Sequence, residues 1–146
     1  MSEVYHLDAK VILRFLLADD PQQSPKARGL FELAQAGKLV LHASHVCMAE
    51  VTWVLRSYYA FERSKLARTL RELVLLEGFA VENESVMLDA YDRFGRINAD
   101  FIDCYTAALA KHASAVVVTE DRDFRKFSDV TARRPAEVVQ RMTSGM

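Results

Sequence analysis

Short apolar runs alternate along the chain with longer segments whose apolar residues recur at helical spacing. Val4–Leu7 (VYHL) is apolar-rich, β-prone and stops at Asp8, which predicts a buried strand. Val11–Ala18 (VILRFLLA) is apolar almost all round, as a helix packed on a sheet would be. Asp19-Asp20-Pro21 then carries turn chemistry, and Ser24 before Pro25 offers an N-cap ahead of a proline at the first helical position. The next helix aligns Ala27, Leu30, Phe31 and Ala34 and closes at Gly37. Leu39–His42 reads as a second strand, after which Ser44 caps a helix running through Val46, Ala49, Trp53 and Val54. Ser64–Leu76 is another amphipathic helix, stopped by Gly78.

Phe79–Val81 reads as a short strand, and Ser85–Phe94 as a helix that Gly95 breaks. Asp100–His112 is a helix of small and apolar residues. Ala115–Thr119 (AVVVT) is the clearest strand, because consecutive valines favour β geometry. A short strand near Asp129–Thr131 and a last helix opened by Pro135 complete the pattern. Strands alternating with helices predict an α/β fold: a three-layer α/β/α sandwich around a central parallel sheet. With 146 residues and neither repeats nor linkers, the expectation is a single domain over residues 1–146.

Composition narrows the class. Hydrophobic residues make up 51% and charged residues 27%, with only 5 Gly and 3 Pro, which excludes disordered and low-complexity classes. The formal net charge of −1 provides no global field, so affinity for nucleic acid must come from local patches. Cys47 and Cys104 lie far apart with no CxxC partner and are expected to be reduced thiols. Asp8, Lys10 and Arg14 interrupt the first apolar run, so it does not read as a signal peptide, and no apolar stretch is long enough to span a bilayer. The expected location is the cytoplasm.

In parallel α/β sheets, ligands bind beyond the carboxyl ends of the strands. Asp8 ends the first strand, Glu50 lies in the helix after the second, and Asp121 stands two residues beyond Thr119. Asp100 and Asp103 open the helix before the Val-rich strand and share one helical face. Carboxylates gathered at one point raise one another's pKa values unless a cation joins them. A hard dication such as Mg²⁺ or Mn²⁺ suits oxygen ligands and supports phosphodiester cleavage. The competing reading is structural: acids at helix starts are stabilised by cap amides and the macrodipole.

The segments YHLDAKVILRFLLADDP, SHVCMAEVTWVL and NADFIDCYTAALAKHASAVVVTEDRDF resemble, in order and spacing, the motifs of PIN-domain proteins, and the chain length suits the VapC-type toxins of toxin–antitoxin pairs. The resemblance implies a Mg²⁺- or Mn²⁺-dependent ribonuclease whose metal-site and catalytic acids are Asp8, Glu50, Asp103 and Asp121. Asp100 and Asp123 would lie near the site, and the Thr119 hydroxyl would bond an acid or a water there. It further implies an RNA substrate, a homodimer, and a cognate antitoxin placing a residue in or near the acidic pocket. Two positions depart from the pattern. Lys10 stands where the family usually carries Asn or Ser, and Glu120 replaces a commonly apolar residue. At about 4 Å and an effective dielectric near 20, an ammonium beside the acids would compete with a cation by about 4 kcal/mol before desolvation.

Arg122, Arg125 and Lys126 belong to a basic cluster, with Arg133 and Arg134, suited to RNA phosphates. Tyr58, Tyr59 and Phe61 are candidates for base stacking, though helical aromatics more often fill a core or an interface. Met48, Trp53 and His6 read as core residues. His42 and His45 lack the accompanying ligands of a zinc site. No nucleotide-binding glycine loop or serine-hydrolase motif is present. Two rivals remain: a PIN-fold module that has lost its metal and binds RNA or a protein, and a phospho-acceptor domain. The second is disfavoured because Asp19 and Asp20 fall beyond a helix from the first strand.

Overall fold

The computed structural model describes residues 3–145. In chain order the elements are β1 (Glu3–His6), α1 (Ala9–Leu17), α2 (Gln23–Gln35), β2 (Leu39–Ala43), α3 (His45–Ser57), α4 (Arg63–Val74), β3 (Phe79–Val81), α5 (Glu84–Arg96), α6 (Phe101–His112), β4 (Val117–Val118), a 3-10 helix (Arg122–Lys126), β5 (Ala132–Arg133) and α7 (Pro135–Ser144). Every described strand pairing is parallel. β1 pairs with β2, with His6 opposite His42, and β2 pairs with β3, with Ala43 opposite Val81. β4 and β5 form a separate pair, Val117 opposite Ala132. Helical crossovers between parallel strands give the expected α/β/α layering.

Leu41 and Ala43 of β2, Ile12 of α1, Phe31 of α2, Met48, Val51 and Leu55 of α3, Leu66 and Leu70 of α4, and Met87 and Tyr91 of α5 form the buried core. Each large side chain removed from water contributes about 1.5–3 kcal/mol. Beneath α3, the buried Thr52 hydroxyl lies 2.7 Å from both the Met48 carbonyl and the Tyr91 hydroxyl, so these polar groups are satisfied inside the core.

Several expectations need correction. The first strand is Glu3–His6 and is exposed throughout, because β1 is the outer strand of its sheet and pairs with β2 alone among the described strands. The Leu7 N–H continues the ladder by donating to the His42 carbonyl at 2.8 Å. The Val-rich strand shrinks to Val117–Val118, since β5 is only two residues long and offers its sole described pairing. β5 itself begins after Asp129–Thr131, the segment expected to hold it.

Gly95 does not break α5. A Cβ there would come within 2.9 Å of the Ala67 Cβ, so the glycine permits close approach of α4 and α5. Ser24 does not cap α2. Asp20 accepts the Gln22 and Gln23 N–H groups, while the buried Ser24 hydroxyl donates to the Arg14 carbonyl. Ser44 caps α3 as expected, accepting the Cys47 N–H at 3.1 Å.

Trp53 is not a core residue: it is 61% exposed. The buried stripe of α3 is Cys47, Met48, Val51, Thr52 and Leu55, and helical phase puts Trp53 on the opposite side. Tyr58 and Tyr59 are likewise exposed. His6 is exposed as well, its ring edge-on to His42 with centroids 4.7 Å apart. Among the described residues no helix is long and apolar enough to cross a membrane.

Candidate active site

Three of the candidate acids occupy N-cap positions. Asp8 precedes α1, Asp100 precedes α6, and Asp121 precedes the 3-10 helix, each with extended backbone. The side chains of Asp8 and Asp100 make no cap hydrogen bond, although Asp is a preferred capping residue. Asp121 does cap: its Oδ1 accepts the Asp123 N–H at 2.8 Å, and its own N–H donates to the Thr119 hydroxyl at 2.8 Å. Thr119 therefore orders the turn that presents Asp121. Glu50 is exposed on α3, and Asp103 is half-buried in the first turn of α6.

Burial, and then the charges of Asp100, Asp121 and Asp123, hold the Asp103 carboxyl above its ordinary pKa, so these four acids share one electrostatic environment. Asp8 and Glu50 flank the Cys47 thiol, which burial and then those two charges push up to about 11. Burial pushes the Cys104 thiol up to about 12, with Asp103 and Asp100 adding to the shift. Both cysteines are buried and free, and such thiols are unreactive.

A groove of about 460 Å³ lies where α3 faces α6, lined by Ala49, Trp53 and Arg56 on one side and Asp100, Ile102 and Asp103 on the other. Arg63 closes it from α4. Its Nη1 donates to the carbonyls of Phe94, Ile97 and Ala99 at 2.7–3.2 Å, which fixes the chain between α5 and Asp100.

The donors are all carboxylate oxygens, which suits a hard dication. Among the described residues, however, no three His, Cys, Asp or Glu side chains converge as a ready ligand set. The residues therefore fit a dication by chemistry and by mutual repulsion, and ligation would require their carboxylates to draw together.

The flanking cations have distinct places. Arg122 and Arg125 line a surface depression with Asp121, Arg133 and Arg134. Lys126 donates to the Asn98 carbonyl at 2.8 Å and lies 3.7 Å from Asp123. Lys10 lines a different groove, between α1 and α2 with Arg14 and Lys26, and no ion pair joins it to an acid among the described residues. His45 meets the Glu82 carboxylate and stacks on Tyr105 rather than sharing a partner with His42.

The PIN domain family matches residues 5–130. The chain belongs to the PIN domain family. PIN domains are a nuclease fold, and their members are generally metal-dependent hydrolases of nucleic acid. Comparison with curated proteins gives no match.

Sequence reasoning missed three residues that shape the site: Arg56 and Arg63 in the groove, and Arg93, which anchors the segment after Asp121. Arg93 is 4% exposed and holds Asp129 through two bonds of 2.7 and 2.8 Å, and Asp89 at 3.0 Å. The Asp89–Arg93 spacing is a readable i,i+4 signal; the Asp129 contact, 36 residues away, is not.

Proposed function

We propose that this PIN domain is a metal-dependent endoribonuclease, the toxin of a toxin–antitoxin pair, acting in the cytoplasm as a homodimer. Asp8, Glu50, Asp103 and Asp121 would hold Mg²⁺ or Mn²⁺, with Asp100 and Asp123 beside them. When bound, the dication supplies Lewis acidity for water attack on phosphorus and for stabilising the leaving oxygen. Arg122 and Arg125 hold RNA phosphates at the rim, and Lys126 secures the 3-10 helix to Asn98. Thr119 fixes the backbone of Asp121. A cognate antitoxin would inhibit by placing a residue among the acids.

The observation that carries the reading is the setting of Asp103, half-buried in the first turn of α6, where burial first and then the charges of Asp100, Asp121 and Asp123 disfavour its ionisation. Such a grouping lowers stability and is relieved by a cation. Incubation with total RNA tests it. Cleavage with Mg²⁺ or Mn²⁺ that stops on chelation and on Asp8→Asn, with unchanged circular dichroism, is expected. Cleavage by Asp8→Asn at the parent rate would refute the mechanism.

The absence of a converged ligand set favours a second reading, a catalytically impaired module that keeps the fold and binds RNA or a protein partner. Calorimetric titration with Mn²⁺ separates the two. Acid-dependent binding supports the nuclease, and no binding supports the module.

A further inference from the structure

We infer that the groove between α3 and α6 is a nucleotide subsite in which Trp53 is the stacking platform for an unpaired base, with Arg56 and Arg63 serving the adjoining phosphate. The inference rests on the nucleolytic reading above and names the form of nucleic acid it accepts.

Trp53 is 61% exposed although α3 buries a full stripe of its own, so packing does not account for an indole at this position. An exposed tryptophan leaves much of a large apolar surface in water. It has a neighbour of the same character, since Ile102 across the groove is 60% exposed. The groove is not simply apolar. Arg56 and Arg63 line it together with Asp100 and Asp103.

Both guanidiniums are held by backbone carbonyls. Arg56 Nη1 donates to Phe61 at 2.8 Å, and Arg63 Nη1 donates to Phe94, Ile97 and Ala99. The Arg63 guanidinium also lies 4.2 Å above the Phe94 ring centroid. An aromatic face, two oriented cations and the acids of the candidate site thus line one depression. That is the complement of a nucleotide: a π-face, a phosphate anion, and a bond to be cut. A wholly apolar partner would not use this charge: the carbonyls orient the two guanidiniums but are neutral, so their positive charge stays available to a phosphate. The base must be unpaired, because in a duplex its faces are covered by neighbouring bases.

The chain has one tryptophan, so intrinsic fluorescence reports Trp53 alone. The full chain is titrated with a single-stranded RNA of about eight nucleotides and with the same strand annealed to its complement. Each titration is run in chelator and again in Ca²⁺ buffer. Quenching by the single strand in either buffer is expected, with the duplex at least about tenfold weaker.

Anisotropy of end-labelled RNA then reads the variants. Trp53→Ala is expected to weaken binding about 5- to 150-fold, the range for loss of one base–aromatic stack, whereas Trp53→Phe stays within about threefold. Absence of quenching in both buffers, equal quenching by duplex, or unchanged affinity of Trp53→Ala overturns the subsite. Emission that varies with protein concentration but not with RNA assigns this face to a protein contact and also overturns it. Quenching without any cleavage leaves the subsite standing and removes the nuclease reading. Cleavage that Asp8→Asn abolishes and Trp53→Ala leaves untouched does the reverse.

Discussion

Arg93→Ala should be the most informative stability variant. The guanidinium sits on α5, is 4% exposed, and bridges Asp89 of its own helix to Asp129 beyond the 3-10 helix. Asp129 is 45% exposed, so its share is solvent-screened and is worth about 1 kcal/mol. Asp89 is 23% exposed and, among the described residues, would keep the His112 ring nitrogen 3.2 Å away as its remaining side-chain partner; losing the arginine there costs about 1.5 kcal/mol. The buried aliphatic stem adds about 1 kcal/mol. The sum is about 3.5 kcal/mol, which for a chain of this length lowers Tm by roughly 7–14 °C.

Urea unfolding measures the loss, and Asp129→Asn should cost no more than about 1 kcal/mol. Arg93 also holds the Asp129 carboxyl below its ordinary pKa of 3.8. A depressed folded pKa gives stability that is present above the unfolded value and lost as pH falls through the folded one. The parent's acid limb should therefore flatten in Arg93→Ala. Because the bridge anchors the segment after Asp121, brief trypsin treatment should cut Arg93→Ala at Arg122, Arg125 or Lys126 sooner than the parent. A cost for Arg93→Ala below about 1 kcal/mol, or one equalled by Asp129→Asn, would refute the reasoning.

Asp103→Asn should stabilise the metal-free protein by about 0.5–1 kcal/mol at neutral pH, the range for screened charge pairs. The Asp103 carboxyl is raised in the folded state, so its penalty is full above that raised value and is relieved as pH falls through it. The advantage of the variant in a thermal melt should accordingly shrink in acid. Saturating Mn²⁺ at about 100 times Kd should raise the parent's stability by about 2.7 kcal/mol and that of Asp103→Asn by much less. Gly78→Ala should cost about 3 kcal/mol or more in urea unfolding, because Gly78 has φ +82 and an added Cβ would overlap the Ala34 carbonyl. Lys10→Asn should change Mn²⁺ affinity by less than about threefold, since Lys10 lines the α1–α2 groove and, among the described residues, makes no ion pair with the acids; a tenfold gain by calorimetry would show that its charge reaches them.

The order of elements was legible because it rests on local chemistry. Ser44 caps α3, Pro135 opens α7, and apolar spacing marks α2, α4 and α6. What was not legible depends on a distant partner. Gly95 looks like a helix breaker until Ala67 is seen against it. The exposure of β1 depends on which strand lies beyond it, and the length of β4 depends on how much of β5 can pair. Trp53 could have been placed from helical phase alone, since Met48, Val51 and Leu55 leave it on the far side of α3. The elements carrying the acids were readable in order: Asp8 follows β1, Glu50 lies in the helix after β2, Asp100 and Asp103 open the helix before β4, and Asp121 follows β4. That Asp100, Asp121 and Asp123 all act on the half-buried Asp103 was not, because it follows from how the 3-10 helix and α6 lie together in space.

Capping and ligation are competing uses of the same oxygen atoms, which bears on why Asp stands at these N-caps. A helix N-terminus lowers the electrostatic cost of a carboxylate, so acids can be held near one another before any cation arrives. Asp8 and Asp100 receive that benefit without a side-chain cap bond, whereas Asp121 has one oxygen on the Asp123 N–H. Replacing a working N-cap by Ala typically costs about 1 kcal/mol. Asp121→Ala should therefore show that cost in urea unfolding, while Asp8→Ala and Asp100→Ala should stay below about 0.5 kcal/mol or gain stability as like charges are relieved. Equal losses at all three positions would mean that these carboxylates serve the helices, and the argument that they are reserved for chemistry would lose its structural basis.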